Sequence, residues 1–288
     1  MDEPALPDPG TGPAVREATR GPSASAVLFT VLGEFFREPD DGAWTGTLLG
    51  ALGELGFGEA AARRALTRAA SAGWVTSRRH GRTIRWSPSA AAVRHFAQAA
   101  EDVYQRRRVD EPWDGCWLVL TTSVPESQRA LRHQLRTRLR WAGFGPMGQG
   151  VWVSPHVSLA PRLPSMLAEM SLSANVVSFI GRLGPVGSEY EIVRDAWDLR
   201  ALSRDYRAFV SSIENAPEAG IPREIFIQVT RMVHQWRGFA LRDPVLPPEL
   251  LPAGWEGHRA RALFYQRHDR WRAPAADWLR AADADSAG

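Results

Sequence analysis

The chain has 288 residues, a mass of 31.8 kDa and 44% hydrophobic residues, which excludes wholesale disorder and indicates two or three domains. Its one cysteine, Cys116, excludes an internal disulfide and any multi-cysteine metal site. No apolar stretch approaches the roughly 20 residues that a membrane span needs, and the acidic, proline-rich start differs from a signal peptide. We therefore expect a cytoplasmic protein with no membrane partner.

The positive charge is concentrated in one segment. All 35 basic residues are arginine, so the abundance of arginine alone says little about function. Residues 60–94 contain eight arginines and no acid, whereas the rest of the chain has 27 arginines and 32 acidic residues, a net charge of −5. A basic segment in a mildly acidic chain is typical of a nucleic-acid-binding domain, whose affinity comes mostly from phosphate contacts.

The N-terminal part of the chain predicts a tail and a small domain. Residues 1–22 have five prolines, three glycines and no apolar periodicity, which indicates a disordered tail. Residues 23–98 predict three helices and a β-hairpin, a winged helix-turn-helix. The predicted helices are Ser25–Phe36 with Ser25 as its cap, Thr45–Leu55 and Glu59–Ala72, and the predicted strands are Trp74–Ser77 and Thr83–Trp86.

The third predicted helix has a basic face. Its exposed side is predicted to carry Arg63, Arg64, Thr67, Arg68 and Ser71, and small apolar residues lie on the opposite side. Such a helix suits the major groove of duplex DNA, where arginine pairs with guanine or contacts phosphates. The alternative is a merely solvated face; the absence of acids on it and the neighbouring basic hairpin favour DNA contact.

The hairpin itself has arginines around its turn. Arg78, Arg79 and Arg82 would lie against the DNA backbone or in the minor groove. A solubilising turn is the alternative interpretation.

The rest of the chain predicts two more domains. Residues 99–112 are predicted to form a linker helix that contains an arginine run. Residues 113–190 show the β-α-β-β-α-β order of a ferredoxin-like domain, provided that residues 143–147 supply one short strand. From Asp195 onward the patterns are helical and broken by prolines, so residues 191–288 predict a helical domain. The predicted fold class is therefore α+β multidomain.

Motifs for catalysis or cofactor binding are weak or absent. Gly143–Gly148 matches the dinucleotide-binding glycine pattern, but it follows a helix and precedes a strand, the reverse of what that site needs. The seven histidines offer no pair at metal-ligand spacing, and no nucleophile elbow or phosphate-binding loop is present. We therefore expect no catalytic residue, no metal and no cofactor.

The helix predicted over Glu126–Trp141 has a second arginine face. This face is formed by Arg129, Arg132, Arg136 and Arg140, with leucines on another side. A solvated face is the first interpretation, and a subunit interface or an anion site remains open.

Three groups of residues resemble one known family. They are Leu55–Glu59 with Arg64–Leu66 and Gly73–Trp74, then Trp113–Gly115 with Trp141–Gly145 and Ser154–Pro155, and finally Asp243–Pro247 with Glu249–Pro252 and Gly257–His258. In this order, over about residues 23–265, they resemble the PaaX-type repressors of phenylacetic acid catabolism.

The resemblance implies a homodimeric repressor that leaves its operator DNA when an aryl-CoA thioester, typically phenylacetyl-CoA, binds. It also relates the central domain to ferredoxin-like CRISPR-associated nucleases, which hold a metal with an aspartate at the end of the first strand. Here that strand ends in Thr121-Thr122-Ser123 without an acid, so we expect dimerisation rather than hydrolysis. A metal-dependent nuclease is the alternative function.

The candidate effector ligands lie in one C-terminal segment. They are Arg231, His234, Trp236 and Arg237, which offer charges for the phosphates of coenzyme A and a ring for its adenine. On a helix, His234 and Arg237 share a face and Trp236 points away, so the four cannot all line one pocket. The alternative is that Trp236 belongs to the core and the arginines are solvated.

Overall fold

The computed structural model describes residues 22–38, 41–104, 112–172, 176–216, 220–240 and 242–286, without the side chains of 98–104. Nearly all of the tail predicted for residues 1–22, and the arginine run of the predicted linker, lie outside the described residues.

The described residues form helices and two small sheets, an α+β architecture. They group into two compact units. One contains Phe209–Gly238 with the described residues of Met1–Gln105 and Arg259–Gly288, and the other contains Phe239–His258 with those of Arg106–Ala208.

The first unit begins with three helices and a three-stranded sheet. Its elements are α1 (Ala24–Phe35), β1 (Ala43–Trp44), α2 (Thr45–Glu54), α3 (Glu59–Ser71), β2 (Val75–His80), β3 (Thr83–Pro88) and α4 (Ala90–Tyr104). The strands pair antiparallel in the order β1-β3-β2. The predicted three helices and hairpin are therefore present in the predicted order. The predicted cap is wrong: Ser23, not Ser25, accepts the Ala26 N–H at 3.4 Å, because α1 begins one residue before Ser25.

The core of this unit follows from the apolar spacing of the sequence. Leu28 and Leu32 of α1 and Leu48 and Leu52 of α2 are fully buried. Trp74, which precedes β2, is also buried, and its ring contacts Phe29 and Phe96. These buried side chains form the hydrophobic core between the helices and the sheet.

The second unit is built on a four-stranded antiparallel sheet. Its elements are β4 (Cys116–Thr122), α5 (Arg129–Trp141), β5 (Gly145–Gly148), β6 (Val151–Ser154), a 3-10 turn (Val157–Arg162), α6 (Leu163–Ala168) and β7 (Val176–Arg182). The strands lie in the order β5-β6-β4-β7. The short strand expected near residues 143–147 is β5. On one face of the sheet, Leu118 and Leu120 of β4 are buried with Leu135 and Leu139 of α5.

Four helices follow the sheet in the chain. They are α7 (Glu189–Ala196), α8 (Leu199–Glu214), α9 (Pro222–Ala240) and α10 (Glu256–Asp285), with a 3-10 turn at Pro248–Leu250. The described residues after Asp195 contain no strand, as the sequence predicted. Within the second unit, Val193 and Ala196 of α7 pack against Trp117 and Val153 on the other face of the sheet.

The Asp243–Pro247 segment makes a tight turn in the second unit. The Tyr206 hydroxyl donates to Asp243 Oδ2 at 2.6 Å, and Asp243 Oδ1 accepts the Val245 N–H at 2.7 Å. Val245 has a φ of 54°, which β-branched residues rarely adopt. The buried aspartate therefore holds a strained backbone, and this accounts physically for the Asp-Pro-Val sequence.

In the first unit, α10 contacts α1 through a buried carboxylate. Glu34 of α1 is 2% exposed, and its Oε1 lies 2.9 Å from His268 Nε2 and 3.0 Å from Arg272 Nε. Arg37 adds a longer contact of 3.4 Å. A buried carboxylate is tolerated because these donors satisfy it.

We expect Glu34→Gln to lower the free energy of unfolding by about 3 kcal/mol, because it leaves the half-buried Arg272 without its counter-charge. Urea denaturation near pH 7 measures the difference. Glu38→Gln, at an exposed position nearby, is the control and should have little effect. Equal stability of the two variants would contradict the role assigned to Glu34.

Candidate nucleic-acid interface

Helix α3 has one buried and one exposed side, as the sequence predicted. The buried side consists of Ala62, Ala65, Leu66 and Ala69. The exposed side consists of Arg63, Arg64, Thr67, Arg68 and Ser71. Small side chains on the buried side let the α3 backbone lie close to α1 and α2, so the long arginine side chains extend from a fixed helix.

The three arginines of α3 differ in their contacts. Arg63 Nη2 lies 2.7 Å from Glu59 Oε1, so this face is not free of acid, contrary to expectation. Glu59 lies just before the acid-free segment and one helical turn before Arg63. Arg68 donates to Ser25 Oγ at 2.9 Å. Arg64 makes no hydrogen bond or ion pair with a described residue, so its guanidinium is available to a ligand.

The hairpin places its arginines at an exposed tip. Strands β2 and β3 pair over their whole length, from Val75 opposite Pro88 to His80 opposite Thr83, and Gly81 turns the chain with a φ of 58°. The arginines of β2 and of the turn are exposed: Arg78, Arg79 and Arg82. The full ladder makes the hairpin a stiff support for these charges.

A C-terminal aspartate holds the base of the hairpin, and sequence reasoning missed it. Asp283 Oδ1 accepts the Trp44 N–H and the Thr47 hydroxyl, both at 2.8 Å. Its Oδ2 lies 2.9 Å from Arg85 Nη1 on β3. Asp283 thus holds the start of α2, where no side chain caps the helix. No local signal marks this residue, because its partners lie about 200 positions earlier in the chain.

The structure separates the four candidate effector ligands. Arg231 is exposed on α9. Trp236 is buried, and its ring stacks on Phe264 at 4.4 Å and contacts Phe209, so it is a core residue and is not positioned to stack on an adenine. His234 and Arg237 both contact Thr30 of α1, at 3.0 and 3.2 Å. The prediction that His234 and Arg237 share one face of the helix while Trp236 points away is confirmed.

Two histidines near Arg237 are held neutral. Burial, followed by the charge of Arg237, lowers the pKa of His234 to about 4. The same two causes, in the same order, lower the pKa of His95, whose ring contacts Trp74. Protonating either imidazole would place a second positive charge beside the guanidinium in a poorly hydrated environment.

The glycines of the Gly143–Gly148 segment have structural roles. Gly143 and Gly148 have positive φ values of 87° and 86°. A Cβ on Gly145 would lie 2.5 Å from the Ala196 Cβ, so only glycine fits there. These backbone constraints account for the glycine pattern without a bound nucleotide.

The described residues offer no metal site and no membrane-spanning helix. The first strand of the sheet, β4, ends at Thr122 without a carboxylate. No group of three or more His, Cys, Asp or Glu residues within the described ranges could hold a metal ion. In the same ranges, no helix has both the length and the apolar composition that crossing a membrane requires.

Comparisons with known proteins agree with this architecture. Three family models match the chain in succession: PaaX-like protein over residues 23–91, PaaX protein central Cas2-like domain over 110–193, and PaaX-like protein C-terminal domain over 197–281. The three matched segments follow one another along the chain and together cover most of it.

Individual relatives extend the match over most of the chain. The transcriptional repressor PaaX of Escherichia coli K12 is 31% identical over 260 residues, which cover 85% of this chain and 80% of that protein. The solved structure of the uncharacterized protein Rv0674 from Mycobacterium tuberculosis has a TM-score of 0.61 at 25% identity, covering 90% of this chain and 99% of that one. The chain therefore belongs to the PaaX family.

The lowered histidine pKa values predict acid sensitivity. The folded-state pKa of His234, about 4, lies below the unfolded value of 6.5, so the unfolded state binds more protons between these two pH values. Stability should therefore fall as the pH drops from 6.5 to 4, by about 3 kcal/mol from His234 alone. His95 acts in the same direction.

We expect His234→Gln to flatten this pH dependence, because glutamine can still bond Thr30 but does not titrate. Urea denaturation at pH 7 and at pH 4.5 measures the change. His133→Gln, on the exposed side of α5, is the control. An unaltered loss of stability in His234→Gln would show that another group causes the acid sensitivity.

Proposed function

We propose that this protein is a cytoplasmic transcriptional repressor that binds operator DNA through α3 and the β2-β3 hairpin. The observation that carries the proposal is the exposed arginine face of α3 beside the exposed hairpin arginines, in a chain similar to a named transcriptional repressor. Since that relative is PaaX and the sequence resembles repressors of phenylacetic acid catabolism, the regulated genes serve the breakdown of an aromatic acid.

The first unit has the parts of a winged helix-turn-helix. Helix α3 follows α2 after a short glycine-containing turn, and the hairpin of β2 and β3 comes next. In this arrangement α3 is the recognition helix that enters the major groove, and the hairpin is the wing that contacts the backbone or the minor groove. Arg64 is the first candidate for base contact because no described residue engages it.

The sheet order supports a ferredoxin-like central domain. The first strand, β4, lies between the third and fourth strands, β6 and β7, and helices follow the first and third strands. A nuclease with this fold would need carboxylates at the end of β4, and the residues there are threonines and a serine. The central domain is better suited to hold two copies together.

An exposed edge supports the homodimer. Among the described strands, β7 pairs with β4 alone, and its Val177, Phe179 and Ile180 are 55%, 59% and 57% exposed. Monomeric proteins rarely leave an apolar edge strand uncovered. A two-fold dimer presents two identical recognition helices, so the operator should be an inverted repeat.

The effector proposal is an aryl-CoA thioester that releases the protein from DNA. The family resemblance motivates it, and α9 supplies the exposed Arg231 for a phosphate. His234 and Arg237 both contact Thr30 of α1, so a ligand that engages either residue would disturb that contact. The ligand must bind the DNA-free conformation more tightly to shift the equilibrium at all.

We expect Arg64→Ala to weaken operator binding by about 1–3 kcal/mol per half-site, because a guanine-reading arginine contributes that much discrimination. The operator can be identified by sequencing the genomic DNA that the purified protein retains. Fluorescence anisotropy with the operator and with a scrambled duplex then measures affinity and specificity.

Arg200→Ala is the matched control, since it removes an exposed arginine from α8 in the other unit. It should leave operator binding unchanged. If the double variant Arg64→Ala with Arg68→Ala binds the operator as tightly as the wild type, α3 is not the helix that contacts the bases.

We expect phenylacetyl-CoA or benzoyl-CoA, but not free phenylacetate, to dissociate the operator complex, because only the thioesters carry phosphates for an arginine. Anisotropy during titration of each compound measures release. Arg231→Ala should raise the thioester concentration needed, with Arg200→Ala as the control. Release by the free acid alone would show that coenzyme A is not recognised.

A further inference from the structure

We infer that helix α5 is a second DNA-contacting surface, formed by the exposed arginine row Arg129, Arg136 and Arg140, that binds the phosphate backbone of a duplex. The inference rests on the proposed function, since it takes duplex DNA as the partner of this protein. It differs from the α3 and wing site in position, because α5 belongs to the other compact unit.

Packing of α5 fixes the direction of this row. Leu135 and Leu139 are 2% and 0% exposed and belong to the core beneath the sheet face of Leu118 and Leu120. Residues on the other sides of α5 must therefore face solvent. The arginine row does so: Arg129, Arg136 and Arg140 are all exposed.

The charges of the row are not compensated within the described residues. Of the arginines on α5, Arg132 pairs with Glu126 at 3.5 Å and Arg138 pairs with Glu169 at 2.8 Å. The three arginines of the row form no ion pair or hydrogen bond with a described residue. Residues 113–172 contain six arginines and only three acids, so few local partners exist.

An uncompensated row has an energetic cost. Arg136 and Arg140 are one turn apart, and like charges at this spacing destabilise a helix. Some exposed helix arginines of the protein are balanced by acids, as in the Arg63 pair with Glu59 and the Arg259 pair with Glu214. A row that keeps its repulsion is suited to a polyanionic partner.

The dimensions of the row fit a duplex backbone. From Arg129 to Arg140 the helix rises about 16 Å, and one DNA strand has a phosphate every 3.4 Å or so along the axis, so the row spans about five phosphates. Guanidinium groups form paired hydrogen bonds with phosphate oxygens. Such contacts are independent of sequence, so α5 would add affinity and salt dependence without reading bases.

The test compares two double variants of the full-length protein that remove the same charge at the same spacing. Arg136→Gln with Arg140→Gln changes the row, and Arg200→Gln with Arg204→Gln changes two exposed arginines of α8 in the same unit. The probe is a fluorescein-labelled random-sequence duplex of about 40 base pairs, or roughly four helical turns. Affinity is measured between 50 and 200 mM NaCl, and thermal melting confirms folding.

Loss of two phosphate contacts should make the slope of log affinity against log salt concentration shallower by about 1.8. Between 50 and 200 mM NaCl, the affinity of the row variant should therefore fall by a factor about tenfold smaller than that of the wild type. The α8 variant should behave like the wild type. An equal change in both variants, or no change in the row variant, would overturn the inference.

A wing variant separates this inference from the proposed function. Arg79→Gln with Arg82→Gln should weaken binding through the first unit. If the wing variant loses affinity and the row variant does not, only the α5 surface is wrong. If the wild-type protein binds neither the random duplex nor its retained genomic DNA, the proposed function fails as well.

Discussion

Two carboxylates near the ends of the chain join the N-terminal helices and the β2-β3 hairpin to the C-terminal helix α10. Glu34 accepts from His268 and Arg272 inside the first unit, and Asp283 accepts from Trp44 and Thr47 while it pairs with Arg85. Each bond joins helix α10 to an element that begins more than 190 residues earlier. The C-terminal helix therefore helps to hold the start of α2 and the base of the hairpin.

The contact between the C-terminal helix α9 and the N-terminal helix α1 bears on how a ligand could act. Helix α9 contacts α1 through Thr30, where a neutral histidine and a charged arginine meet one hydroxyl. A small displacement there would change the contacts of a buried helix rather than of a flexible loop. Packed interiors resist continuous deformation and shift between discrete arrangements, so α9 is a suitable place for a binding event to alter α1 and the helices beside it.

The sequence predicted the parts of the fold that local signals specify. The apolar spacing of Leu28 and Leu32, the glycine turn at Gly81 and the small residues beneath α3 each determine one element, and those elements are present. The contacts that Glu34 and Asp283 make with the opposite end of the chain could not be predicted, since an ion pair between positions about 200 or more apart gives no signal in either local sequence pattern. Trp236 shows the same limit: its type suits a ligand site, and only tertiary packing against Phe264 places it in the core.

The site residues illustrate why arginine in this chain must be judged by its partners. Because every basic residue is arginine, the presence of arginine on a surface carries little information. Its ion-pairing state carries more: Arg85 and Arg138 are engaged by carboxylates and stabilise the fold, whereas Arg64 and Arg136 have no described partner. A guanidinium that the protein itself leaves without a counter-charge keeps its attraction for an external anion, because no existing ion pair must be broken when that anion binds. Arg64 of α3 and the row of Arg129, Arg136 and Arg140 on α5 meet this criterion, and they are the positions at which we propose that a polyanion binds.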